Sequence, residues 1–153
     1  MFLVAYASSL PPHIVYFVVM LKLRVNQYKH IFWDWLWTVY DNDKQELYPW
    51  AQKVFEDSAD SKHYMVSWAA DPAGRKQLIE DSVLMGKLTD LWTGQEYKKG
   101  VFEQLMKKYQ IPAEDILVIG DNMENEIQSA KELGLDHVHI SDFVKEYGLS
   151  VAE

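Results

Sequence analysis

From Lys29 onward, short apolar runs alternate with segments whose apolar residues recur every three or four positions. His30 to Asp34 reads as a buried strand. Leu47 to Phe55 follows with one helical face made of Leu47, Trp50, Ala51, Val54 and Phe55. His63 to Trp68 is a second strand. The next helix starts with Asp71 as N-cap and Pro72 at the first helical position, and is expected to run to Leu84 with Leu78, Ile79, Val83 and Leu84 inward. Leu88 to Trp92 is a short third strand. Lys99 to Tyr109 is an amphipathic helix using Val101, Phe102, Leu105 and Met106. Asp115 to Gly120 forms the clearest buried strand, and Glu124 to Leu133 a helix closed by Gly134. His137 to Ile140 is the last strand, with Ser141-Asp142 capping a short helix to Tyr147.

Strands that are nearly continuous in apolar residues and separated by helices predict an α/β fold. The expected form is a three-layer, Rossmann-like parallel sheet with helices on both faces. In such a fold ligands bind beyond the carboxyl ends of the strands. Residues 29–153 are assigned to this domain and residues 1–28 to an N-terminal extension of different character. Its run from Ile14 to Leu21 is too short for a membrane-spanning helix. Lys22 and Arg24 follow that run instead of preceding it, and Pro11-Pro12 interrupts the region, against a secretory signal. The extension reads as a segment that adds an edge strand or packs on the domain, or as residues preceding a start at Met20.

Composition narrows the chemistry. There is no cysteine, which excludes thiol catalysis, disulfides and thiolate metal sites and makes the cytoplasm the default compartment. The formal charge of −8 disfavours nucleic acid and anionic membranes, and implies that any phosphate chemistry needs a cation.

Three successive strands end in Asp34, Ser67 and Gly120-Asp121, so these residues should meet on one rim. Each alone is as well explained by a cap or a turn. Together, in this order, they resemble the haloacid dehalogenase superfamily of aspartate-nucleophile phosphatases. Its first motif, Asp-x-Asp-x-Thr after an apolar strand, is similar to Ile31-Phe32-Trp33-Asp34-Trp35-Leu36-Trp37-Thr38-Val39. The second resembles Tyr64-Met65-Val66-Ser67, the third a helix-starting lysine at Lys99 with Lys98 as alternate, and the fourth Gly120-Asp121 with Glu126. The resemblance spans Lys29 to about Ile140.

The resemblance implies that Asp34 is a nucleophile that forms an aspartyl-phosphate. Thr38 and Ser67 are implied to bind phosphoryl oxygens, and Lys99 to neutralise them while keeping Asp34 deprotonated. Asp34, the Leu36 backbone carbonyl, Asp121 and Glu126 are implied to hold Mg2+. The substrate is expected to be a phosphorylated small molecule or macromolecule. Between Thr38 and the second strand there is no space for a large cap.

Leu36 departs from the pattern, because it stands where the family's phosphatases place their general-acid aspartate. A slow or specialised phosphohydrolase is therefore the first expectation, and a catalytically silent binding protein the second. Dehalogenases and phosphonatases also lack that aspartate, but they fit the Gly120-Asp121 to Glu126 segment and the missing cap less well. Trp33, Trp35 and Trp37 are read as filling space left by a cap, or as an aromatic wall for substrate that Trp68 joins. The histidines show no metal-ligand spacing.

Overall fold

The computed structural model describes residues 25–148. The first 24 residues of the predicted extension lie outside them. Its last four do not: Val25 is buried in the core, and the Ser61 hydroxyl donates to the carbonyl of Tyr28 at 2.7 Å.

Five strands form one parallel sheet: β1 (His30–Trp33), β4 (Lys62–Trp68), β5 (Leu88–Gly94), β6 (Ile116–Gly120) and β7 (Asp136–His139). Their order is β5-β4-β1-β6-β7, which places β1 at the centre. Between β1 and β4 the chain forms a small hairpin of β2 (Tyr40–Asp41) and β3 (Glu46–Leu47) and the helix α1 (Ala51–Asp57). No cap domain occupies that stretch. The remaining helices are α2 (Pro72–Glu80), α3 (Lys98–Tyr109), α4 (Gln128–Leu133) and α5 (Ile140–Glu146). Among the described residues no helix is long and apolar enough to cross a membrane.

Alternation along the strands divides the core in two. Ile31, Trp33, Met65, Leu117 and Ile119 face α1 and α5, where Phe55 stacks on Trp33 at 4.8 Å and Phe143 meets it edge-on at 5.7 Å. Phe32, Tyr64, Val66 and Val118 face Val101, Phe102 and Leu105 of α3 and Ala130 of α4. Both faces of the sheet are thus covered, as near-continuous apolar strands require.

The structure departs from the sequence expectation at three helices. The helix expected from Leu47 begins only at Ala51, because Pro49 disfavours helical geometry at Tyr48 and Leu47 pairs with Tyr40 in the hairpin. The helix from Pro72 ends at Glu80 instead of Leu84. There the Ser82 hydroxyl donates to the Ile79 carbonyl at 2.7 Å, leaving Leu78 and Val83 exposed while Ile79 and Leu84 are buried. The third departure lies between β6 and α4, where Met123–Ile127 forms a widened π turn and not regular α-helix. Ile127 and Glu126 both donate to the Asn122 carbonyl, and the Asn122 side chain accepts from the N–H groups of Glu124 and Asn125. A π turn of this kind is frequently a functional feature.

Candidate active site

The register of the sheet brings the predicted residues together. Trp33 lies opposite Met65 on β4 and Ile119 on β6, so the chain positions just beyond, Asp34, Ser67 and Asp121, emerge side by side at the carboxyl edge. The Asp34 amide donates to the Ile119 carbonyl at 2.9 Å, carrying the pairing one residue past the strand. The chain then turns tightly: the Trp35 carbonyl accepts from the amides of Thr38, Val39 and Tyr40. The Thr38 hydroxyl returns to Asp34 Oδ2 at 3.3 Å.

One lysine ties the site together. Lys98, 0% exposed at the first turn of α3, donates from Nζ to Asp34 Oδ1 at 2.7 Å and to Glu126 Oε1 at 2.5 Å. Its amide is fixed by Asn125 Oδ1 at 2.9 Å. Lys99 points elsewhere and pairs with Glu132 at 3.5 Å, so the position the sequence reading gave to Lys99 belongs to Lys98. The reason is periodicity. Lys98 falls in line with Val101, Phe102 and Leu105, the buried stripe of α3, whereas Lys99 lies beside it.

Glu126 reaches Lys98 because the π turn swings it inward, and its Oε2 accepts from the Asn122 amide at 2.8 Å. Gly120 allows this approach. A Cβ there would lie 2.9 Å from Glu126 Cγ. Asp34, Asp121 and Glu126 each offer an oxygen within 4.8 Å of the others.

Three carboxylates around one ammonium leave a charge surplus of −2 when all are ionised. Burial first, then the hydrogen bond and charge of Asp34 and the charge of Glu126, push the Asp121 carboxyl up to about 8. Burial and the Asp34 charge also raise Glu126, against the pull of Lys98. For Lys98 burial works the other way, but the attraction of Asp34 and Glu126 prevails and holds it protonated.

The resulting cavity of about 420 Å³ is lined by Asp34, Leu36, Trp37, Trp68, Asp121, Asn122, Asn125 and Glu126. Thr38, Ser67 and Lys98 lie buried behind it. The tryptophans divide between the two roles considered for them. Trp33 and Trp35 are core residues, while Trp37 at 38% and Trp68 at 47% exposure flank the opening.

Two further residues escaped the sequence reading. Arg75 Nη1 donates to Ser67 Oγ at 2.8 Å, and His139 Nε2 contacts the Asp121 carbonyl at 2.8 Å. His139 ends β7 on the same edge, so its place on the rim was legible. Its Nδ1 also accepts from the Ser141 amide, making His139 the side chain that caps α5 in place of Ser141-Asp142. For Arg75, eight positions after Ser67, the sequence held no signal.

A family model described as HAD-hydrolase-like matches residues 98–142, which run from the buried lysine through the Gly-Asp segment to the start of α5. Over that segment the chain is similar to the haloacid dehalogenase-like hydrolases. Solved structures of this fold agree at low sequence identity. A hydrolase from Streptococcus pneumoniae is 16% identical with a TM-score of 0.65, covering 80% of this chain and 100% of its own. An uncharacterized protein from Listeria monocytogenes is 17% identical with a TM-score of 0.61, covering 73% of this chain and 78% of its own. A Bacillus subtilis protein described as a HAD-hydrolase, YfnB, bound to magnesium, is 18% identical with a TM-score of 0.56. That match covers 68% of this chain and 57% of YfnB, so the chain spans little more than half of that relative. A comparison with curated proteins gave no match.

Proposed function

We propose that this HAD-like chain is a Mg2+-dependent phosphohydrolase that uses Asp34 as nucleophile and is slow, or specialised for good leaving groups. The observation that carries the reading is the bridge from Lys98 to both Asp34 and Glu126 beside the third carboxylate, Asp121.

The donor set fits a hard divalent cation. It is all oxygen, its charge surplus matches, and oxygens on one Mg2+ lie up to about 4.2 Å apart, so the 4.8 Å cluster needs little closure. Asp34, Asp121 and the Leu36 carbonyl are the direct ligands in this reading. Glu126, engaged through both oxygens, positions Lys98 and adds its charge. A bound Mg2+ supplies charge neutralisation and polarises a phosphoryl oxygen.

The protein's own groups then divide the work. Asp34 attacks phosphorus in line, the bond to the leaving oxygen breaks with its electron pair, and an aspartyl-phosphate forms. The Lys98 ammonium and the hydroxyls of Thr38 and Ser67 stabilise charge on the phosphoryl oxygens. Water then attacks phosphorus, the bond from phosphorus to Asp34 breaks with its electron pair on the carboxylate, and the water's proton passes to solvent as phosphate leaves. Leu36 donates no proton to the leaving oxygen and takes none from that water, which costs on the order of 10² to 10⁴ in rate for a poor leaving group.

Leu36 also favours a second reading, a HAD-like protein that binds phosphate without turning it over. Hydrolysis of an aryl phosphate with Mg2+, set against Asp34→Asn, separates the two. Activity lost in the variant supports the enzyme. Beryllium fluoride binding with Mg2+ but no turnover supports the binder, and no binding of beryllium fluoride overturns both.

A further inference from the structure

Leu36 bounds the cavity over Asp34 on one side. A second cavity of about 290 Å³ begins on the other side of that residue, lined by Leu36, Tyr40, Asn42, Gln45, Arg75 and Leu78 among others. Leu36 lines both, so the two are adjoining lobes that meet at that residue. A ligand held at Asp34 that extends past Leu36 would enter this second lobe.

Arg75 is the cation of the second lobe. Its Nη1 donates to the buried Ser67 hydroxyl at 2.8 Å and lies 3.4 Å from the Trp68 carbonyl. Among the described residues no carboxylate forms an ion pair with it. Asp71 also lines the lobe one helical turn earlier, but its Oδ1 accepts from the Gly74 amide at 3.1 Å. A half-buried guanidinium without a counter-ion is notable in a chain of net charge −8. Arginine presents a fork of five N–H donors suited to a carboxylate or phosphate, and two contacts from one nitrogen leave most of that fork open.

We propose, resting on the phosphohydrolase reading above, that the substrate is a phosphomonoester with a second anionic group on its leaving-group side. That group, a carboxylate or a second phosphate, is bound by Arg75 in the lobe beyond Leu36. Asp34, Lys98 and the metal engage one end, and Arg75 the other. Because Arg75 also contacts Ser67 Oγ, it links the two lobes directly.

The test measures Mg2+-dependent binding to the full chain of three series matched in chain length: hydroxyalkyl phosphates, carboxyalkyl phosphates and α,ω-bisphosphates. Inorganic phosphate is measured alongside. At the best length, the carboxyalkyl phosphate or the bisphosphate should bind at least tenfold tighter than the neutral analogue, and which series does so identifies the second anion. Arg75→Met should reduce that ratio below twofold, and Arg75→Lys should retain part of it. The ratio is the readout because loss of the Ser67 contact weakens all three series together. No anion advantage at any length, or an advantage that survives Arg75→Met, overturns the proposal. Inorganic phosphate that fails to bind locates the failure in the metal and phosphate site, whereas inorganic phosphate that binds without an anion advantage refutes the role of Arg75 alone.

Discussion

Lys98 and Asp34 stand 64 positions apart in the chain, yet Nζ of the first lies 2.7 Å from Oδ1 of the second in an environment where the lysine side chain has no exposure. A buried ammonium is tolerable only when paired and hydrogen-bonded, and here two carboxylates supply that. Removing one partner of such a group is costly. Lys98→Met is expected to destabilise the fold by about 3 kcal/mol and to abolish beryllium fluoride binding. Lys99→Met, on the outer face, should change stability by no more than about 0.5 kcal/mol. Urea unfolding of the two variants and the wild type checks both statements.

Leu36→Asp adds a carboxylate two positions after Asp34, the nucleophile of the proposed reaction. Turnover of an unactivated alkyl phosphate should rise by about 10² to 10⁴, with a much smaller gain for an aryl phosphate whose leaving group needs no proton. Steady-state kinetics on the paired substrates measures the difference. An equal gain on both would show that the new carboxylate does not act as an acid.

Trp37 has φ of 59°, a left-handed conformation that a side chain with a Cβ adopts at a cost of about 1 to 2 kcal/mol. Comparison of Trp37→Gly with Trp37→Ala isolates this strain, since both remove the indole and only alanine keeps the Cβ. The glycine variant should be the more stable by about 1 kcal/mol, the reverse of the order in an ordinary helix. Thermal unfolding reads the difference.

His63 is buried near the start of β4, away from the carboxyl edge that carries Asp34. Trp33 Nε1 donates to its Nδ1 at 2.9 Å, so Nδ1 is unprotonated and Nε2 carries the proton toward the Ser58 carbonyl at 3.0 Å. Burial lowers its pKa from the ordinary 6.5, more than the Ser58 carbonyl raises it. Well above 6.5 neither the folded nor the unfolded chain is protonated there, and the group has no effect on the pH dependence. Below 6.5 the unfolded chain takes up a proton that the folded chain refuses. Stability should therefore fall as pH drops, by at most about 1.4 kcal/mol per unit from this group, until the lowered folded pKa is reached. Urea midpoints from pH 7.5 to 5 for wild type and His63→Gln test this, and the variant should show the shallower decline.

Much of the architecture was legible along the chain because parallel strands buried on both faces are continuous apolar runs and their helices carry one apolar stripe. The strand ends at Asp34, Ser67 and Asp121 were legible for the same reason: chain direction sends every carboxyl end of a parallel sheet to one edge. Helix ends were less so. Pro49 and Ser82 decided two of them through a backbone restriction and a local hydrogen bond that compete with periodicity.

The order of apolar and polar residues along the chain specifies the sheet, its edge and the residue types delivered there. The tertiary structure decided which of two adjacent lysines serves the site, because neighbouring helical positions differ by 100° in direction and only the stripe of Val101, Phe102 and Leu105 shows which one turns inward. It also decided the inward swing of Glu126, which depends on a π turn and on the missing side chain of Gly120. Arg75 became visible only in three dimensions. Its significance is that, among the described residues, no carboxylate pairs with it beside a cavity, and a cavity is a property of packing that no spacing of residues encodes.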